Sequence, residues 1–338
     1  MKILLITDNK RFFRQHLRYY QTMNVSILSS LFESKGYPVE VMKYDDIINN
    51  NMSLFGETIL YTSSQNNYYK SYIEDIIFHL SKHNVLVPSY DFLKAHEDKN
   101  YQEMIKRELQ INSLNSLLFS SIDDVISRLD SINFPTVLKF HSGAGSKNVY
   151  KVENQKKLIK MLKKSINAEK NIIYNLKRNV KKYFFVTKYI SELYDDASYF
   201  QKISLQPFVP NLDSDWKILV FGEKYYSLKR KVRRGDFRAS GSGQFDYDSI
   251  PEDVILDFSK DIFHKMNVPF VSLDVAYNGF EAFLIEFQVL HFGPLTIINS
   301  KKFHVYDQEH NNWNTVYSKS NLEIEFVNSV VKFLEKRE

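Results

Sequence analysis

The chain has 338 residues, 43% of them hydrophobic and 25% charged, with a net charge of +5. This is the mixture of an ordinary globular protein of two or three domains, and so small a charge gives no reason to expect a nucleic-acid partner. No cysteine is present, which excludes disulfides, thiolate catalysis and cysteine metal sites, and no run approaches the ~20 apolar residues of a membrane span.

The opening MKILLITDNK has only a short apolar run before Asp8. It reads as a first strand and not as a signal peptide, so a cytoplasmic location is expected. KILLIT (2–7) is followed by a helical pattern over 24–34, with Gly36 as its C-cap residue. PVEVMKY, ETILYTSS and NVLVPSY read as three more strands, with a helix over 72–82 before the last. Alternating strands and helices predict an open α/β domain with a parallel sheet. It lacks a glycine-rich first turn, so a dinucleotide is not expected there.

After Ser89 the texture changes. AHEDKNYQEMIKREL (95–109) reads as a helix, 117–119 as a strand and 122–129 as a helix. FPTVLKF enters the glycine-rich stretch HSGAGSK, and NVYKV leaves it as a strand. The stretch is neither a Walker A loop nor a dinucleotide fingerprint, because both run into a helix. Residues 154–195 read as helices. SLQPFV, WKILVF and YYSLKRKV are strands, followed by the charged loop RRGDFRASGSG. A helix over 251–266, the hairpin FVSLDVAYNGFEAFLIEFQ and a helix over 322–336 complete the chain. Three domains are expected: 1–97, 98–207 and 208–338.

Three groups of residues could carry chemistry. Glu286 and Gln288 are two apart on a strand and face the same way. A three-residue turn, Tyr277-Asn278-Gly279, places Asp274 opposite Ala282 and on the Glu286 face, with Gly279 at a left-handed bulge position. The two carboxylates either share an apolar neighbourhood, which requires pairing or a metal such as magnesium, or one of them is a solvent-facing charge. In KRKVRRGDFR, strand alternation sets Arg230 apart from Lys229 and Lys231, as an arginine aimed inward at a phosphate would be. Lys99 precedes the glycine loop, and Lys139 lies on the otherwise apolar strand that enters it.

In order, these motifs resemble the ATP-grasp superfamily from Lys99 through Gln288. The nearest pattern is that of carboxylate–amine ligases of the ribosomal-protein glutamate ligase and glutathione synthetase-like type. Their D-hydrophobic-R-x-L-V-x-G run, arginine strand and G-D-F-R correspond here to DWKILVFGEKYYSLKRKVRRGDFR. The twelve-residue spacing from aspartate to metal glutamate matches Asp274 and Glu286. The resemblance implies an α/β and α+β architecture, an ATP-grasp fold behind an N-terminal open parallel-sheet domain.

It also implies the site. Ser142, Gly143, Ala144, Gly145 and Ser146 would cover the ATP phosphates, and Lys99 and Lys139 would contact them. Gln206 would meet the adenine amino group, the backbone of Phe208 and Val209 the adenine edge, and Asp213 the ribose. Arg230 would stabilise the transferring phosphoryl group, with Arg238 as a second catalytic arginine. Asp274, Glu286 and Gln288 would hold two Mg2+ ions. Arg233, Arg234, Arg238 and His291 are candidates for an anionic substrate, although His291 reads more readily as a packed residue beside Phe292.

The implied reaction joins a small-molecule carboxylate and an amine through an acyl phosphate, releasing ADP and phosphate. A sugar acid or an amino acid is the substrate class considered. No nucleic acid or membrane partner is expected, and a homodimer stays open. A kinase acting on a hydroxyl and a non-catalytic nucleotide-binding protein are the alternatives. The sequence departs from the pattern at Gln288, where asparagine is usual, at Gln206, where glutamate is common, and at VLHFGP, which replaces a small-residue Pro-Gly tail.

Overall fold

The computed structural model describes residues 1–14, 22–50, 53–140, 148–168, 200–233 and 235–337, together with residues 176, 180, 183 and 184. The chain divides into two compact units, residues 1–113 with 211–338, and residues 114–210.

The first unit begins with β1 (Ile3–Thr7), a small antiparallel pair β2 (Phe13–Arg14) and β3 (Thr22–Met23), and helix α1 (Val25–Ser34). β4 (Val39–Lys43), α2 (Tyr44–Asn49), β5 (Thr58–Tyr61), α3 (Asn67–Leu80) and β6 (Val85–Val87) follow. The four longer strands form the parallel sheet β4-β1-β5-β6. ILLIT and TILY are buried throughout, as apolar runs in a parallel sheet are. Asn24 and Asn66 start the crossover helices, accepting from the backbone N–H groups of Ile27 and Tyr69. Gly36 stands past α1 at φ +85°, the left-handed position that favours glycine.

The helix expected over 95–109 is two helices, α4 (Tyr90–Ala95) and α5 (Lys99–Glu108). Glu97 breaks them at φ +63°. Asp98 restarts the chain, its carboxylate accepting from the N–H groups of Asn100 and Tyr101.

The second unit holds β7 (Leu117–Ser121), α6 (Ile122–Ser127), β8 (Thr136–Phe140), β9 (Val149–Val152), α7 (Gln155–Ala168) and β10 (Phe200–Pro207). Its antiparallel sheet runs β7-β10-β8-β9, over a core that includes Val125, Leu138, Leu158, Leu162 and Ile203. β8 and β9 pair with Lys139 opposite Val149, so the glycine-rich stretch connects two antiparallel strands.

The rest of the first unit comprises β11 (Ser214–Phe221), β12 (Lys224–Lys231), β13 (Phe245–Asp246), α8 (Asp253–Met266), β14 (Phe270–Tyr277), β15 (Ala282–Gln288), α9 (Leu295–Asn299), β16 (Phe303–Asp307), β17 (Asn312–Val316) and α10 (Leu322–Glu335). The sheet order is β15-β14-β11-β12-β16-β17, with β13 beside β12. One core joins this sheet to the N-terminal strands. Phe326 of α10 lies 5.8 Å from Phe13 and 4.8 Å from Phe270, ring centre to ring centre. Residues 1–97 and 211–338 lie in one compact unit, and α5 with Lys99 lies there too. Among the described residues no helix is long and apolar enough to cross a membrane.

Candidate functional site

The densest chemistry lies on one face of the β15-β14-β11-β12 sheet. Asp215 and Lys217 are two apart on β11 and share a face. Asp215 is opposite Arg230 on β12, and Lys217 is opposite Asp274 on β14. Asp274 is in turn opposite Glu286 on β15, and Ser272 opposite Gln288. A row of charge therefore crosses adjacent strands: Arg230 beside Asp215, then Lys217, Asp274 and Glu286.

The shared face of Asp274 and Glu286 arises differently from the turn expected. Tyr277 pairs with Ala282, which leaves a four-residue connection, 278–281, with Gly279 at φ +93°. Uninterrupted pairing from there would set Asp274 against Ile285. The register shifts between Asp274 and Val275, so Leu284 pairs with Val275 and Glu286 with Asp274. Ile285 is the extra residue of a bulge. Side chains of α5 meet the backbone on both sides of Glu286. Lys106 donates to the Ile285 carbonyl at 2.8 Å and to Glu103 at 2.6 Å, and the Phe287 N–H donates to the Gln102 side chain at 3.4 Å.

Arg230 is buried, as expected, while Lys229 is half-buried and Lys231 exposed. Its guanidinium is held by two protein carboxylates. Nε and one terminal nitrogen donate to the two oxygens of Asp215 at 2.6 and 2.8 Å, and the terminal nitrogen also reaches Asp274 at 2.9 Å. Burial pushes Asp215 up to about 6, with Asp274 adding to the rise and Arg230 opposing it. For Arg230 burial works against the charge, but the two carboxylates outweigh it and raise its pKa. Burial lowers the pKa of Lys217, against the pull of Asp274, and its Nζ lies 3.4 Å from the Gln288 amide oxygen. Three carboxylates, Asp215, Asp274 and Glu286, thus face two cations, Arg230 and Lys217. Among the described residues no group of three His, Cys, Asp or Glu is gathered as a metal cluster. Gln288 brings a third oxygen to the Asp274–Glu286 pair, and oxygen donors of this kind suit magnesium.

Lys99 is the first residue of α5, in this first unit. Glu97, just before it, accepts from the Gln65 side chain at 3.0 Å, and burial and then the Glu286 carboxylate raise its pKa. Arg238 is held within its own turn by Asp236, with Nε at 2.9 Å and a terminal nitrogen at 2.8 Å. That pairing, above all, holds Asp236 down to about 2. Arg233 donates to the carbonyls of Ser242 and Gly241. Asp213 is exposed and accepts from the Ser214 hydroxyl at 2.7 Å. His291 is buried at φ +52°, 4.7 Å from the His96 ring, with Nε2 3.0 Å from the Ser63 carbonyl.

In the second unit Lys139 is buried on β8, between Ser204 of β10 and Val149 of β9. Gln206 is buried on β10, and its Nε2 has no hydrogen-bond partner among the described residues. Phe208 and Val209 follow β10, half-buried, with the Lys151 ammonium 4.2 Å from the Phe208 ring centre. Ser142, Gly143, Ala144, Gly145, Ser146 and Arg234 lie outside the described residues.

Lys217, Asp215, Glu97 and the α5 clamp were missed as site residues by sequence reasoning. Lys217 and Asp215 had a signal, two charges at a spacing of two on the apolar strand DWKILVF. The clamp had none, because it acts through a distant backbone.

No family model matches the sequence, and no curated protein matches it. Solved structures do. A D-cycloserine synthetase aligns over 99% of this chain and 100% of its own, at 11% identity and TM-score 0.59. A D-alanine–D-alanine ligase from Bacillus anthracis aligns over 100% of this chain and 98% of its own, at 13% identity and TM-score 0.54. A RimK domain ATP-grasp protein from Sphaerobacter thermophilus aligns over 98% of each chain, at 10% identity and TM-score 0.52. At such identities the likeness is one of fold, and the chain has the ATP-grasp fold.

Proposed function

We propose that this protein is an ATP-dependent carboxylate–amine ligase that forms an amide or peptide bond through an acyl phosphate and releases ADP and phosphate. The observation that carries the reading is the placement of Asp274 and Glu286 directly across one sheet face, beside buried Arg230, in a chain with the fold of known ligases. A carboxylate resists attack by an amine until it is activated, and phosphorylation by ATP supplies that activation. The work asked of such a protein is positioning and electrostatic stabilisation of the phosphoryl group.

Each residue has a role in this reading. Lys99, Lys139 and the loop Ser142–Ser146 hold the phosphates, the loop through backbone amides. Phe208 and Val209 border the adenine, and Asp213 meets the ribose. Gln206 offers a donor as well as an acceptor. Its unmatched Nε2 suits a ring nitrogen, which the glutamate usual at this position would not. Asp274, Glu286 and Gln288 would hold Mg2+, which supplies positive charge against the phosphate oxygens. Asp215 orients Arg230 toward the same charge. Arg238, paired with Asp236, is the residue assigned to an anionic substrate.

The test is a hydroxamate assay. The purified full chain is mixed with ATP, Mg2+, hydroxylamine and a pool of sugar acids and amino acids. A hydroxamate with stoichiometric ADP and phosphate is expected. AMP with pyrophosphate, or stable phosphate transfer to a hydroxyl without hydroxamate, overturns the reading in favour of adenylation or a kinase.

A further inference from the structure

The parallel sheet β4-β1-β5-β6 reverses its winding between β1 and β5. The chain passes from β1 to β4 on one side, then returns to β5 on the other. Open α/β sheets bind ligands in the crevice at the carboxyl ends of the strands where this reversal occurs. A cleft of about 140 Å³ lies at that point, lined by Asp8 and the exposed Asn9 after β1, Ser63 and Gln65 after β5, Arg14 and His291. A cleft of this size suits a small molecule and is too small for a nucleotide.

The polar groups are arranged for a particular ligand. Asp8 is engaged at both oxygens: one accepts from the N–H groups of Lys10 and Phe12 at 2.9 Å each, and the other accepts from Nε of Arg14. The carboxylate thus orients the guanidinium by one edge. The two terminal nitrogens of Arg14 make no hydrogen bond or ion pair among the described residues. A guanidinium held at Nε keeps an open face whose geometry matches a carboxylate. The buried Ser63 hydroxyl has no partner among the described residues, and neither has the Gln65 carbonyl oxygen, whose amide nitrogen is on Glu97. The first can donate to an anion, and the second can only accept.

We infer that this cleft binds a small carboxylic acid that carries one hydrogen-bond donor, its carboxylate on Arg14 and Ser63 and its donor on Gln65. The inference rests on the ligase reading for its purpose, since Gln65 links the cleft through Glu97 to the neighbourhood of Glu286. An occupant would be one substrate of the ligation, anchored at the end that does not react.

Ligand-detected NMR on the full chain without nucleotide tests it, with glycine, alanine and lactate as probes and alaninamide and lactamide as controls. At least one acid binds and its amide does not. Arg14→Gln weakens that binding by about tenfold or more, and Asn9→Leu, which fills the cleft mouth and leaves the Asp8–Arg14 pair intact, does the same. Both variants keep wild-type ATP affinity. If Arg14→Gln fails to fold, Asn9→Leu decides. The inference is overturned if no probe binds, if acid and amide bind alike, or if the folded variants bind as the wild type does. Probe binding with no ADP release sinks the ligase reading and leaves the cleft; ADP-forming ligation indifferent to both variants does the reverse.

Discussion

The Lys106 ammonium donates to the Ile285 carbonyl at 2.8 Å, and Ile285 is the bulge residue that turns Glu286 toward Asp274. Lys106 is almost wholly buried and pairs with Glu103, also buried. Removing one member of such a pair strands the other charge and typically costs about 3–5 kcal/mol. Lys106→Met should therefore lower unfolding stability by about that much in urea titrations. Adding Glu103→Gln should recover most of it. The double variant should still need more Mg2+ for half-maximal activity, because the bulge has lost its donor. A double variant with wild-type Mg2+ dependence would remove the link from α5 to Glu286.

What the sequence made legible here follows from range. The alternation that aligns Glu286 with Gln288 is local, and it holds. That Asp274 joins them depends on a bulge anchored 179 residues away in sequence, which no window on β15 contains. The turn residues Asn278 and Gly279 drew attention to the wrong place, since they form a four-residue connection and leave the register correction to Ile285. The single core shared by the N-terminal strands and the C-terminal sheet was hidden for a similar reason. Phe13, Phe270 and Phe326 stand far apart in the sequence, and only packing brings them together.

His304 gives a pH dependence independent of the candidate site. It is buried on β16 between the hydroxyls of Ser227 and Thr315, each at 3.0 Å, and burial, with Lys302 adding, lowers its pKa to about 4. The folded value lies below the ordinary one, so the neutral ring contributes stability that is present above about 6.5 and is lost as pH falls through about 4. Urea midpoints should decline between pH 7 and 4, and His304→Gln should flatten part of that decline. An unchanged slope in the variant would place the acid sensitivity elsewhere.

Lys139 lies buried on β8, the strand that leads into the glycine-rich stretch. Lys139→Met keeps the length and apolar stem of the side chain. It should weaken ATP binding by calorimetry by about tenfold or more, with little change in melting temperature. ATP affinity equal to wild type would detach Lys139 from the phosphates.

Lys217 balances the carboxylate row that it crosses. It stands directly opposite Asp274 and reaches Gln288, so it competes for the same charges a divalent cation would use. With Lys217→Met, the row of Asp215, Asp274 and Glu286 keeps Arg230 and loses the other of its two cations. At ~4 Å and an effective dielectric near 20, removing one such cation costs on the order of a few kcal/mol. Without Mg2+ the variant should melt well below the wild type. A cation bound at Asp274 and Glu286 would no longer meet the repulsion of Lys217, so Mg2+ should bind more tightly than in the wild type. Ligand that binds only the folded state raises the melting temperature, and the variant should therefore recover much of its loss on addition of Mg2+, while the wild type shifts little. Lys217→Arg, which restores the charge, should behave as the wild type does. Equal Mg2+ shifts in Lys217→Met and wild type would show that the cation binds away from this row, and Asp274 and Glu286 would lose their role as its ligands.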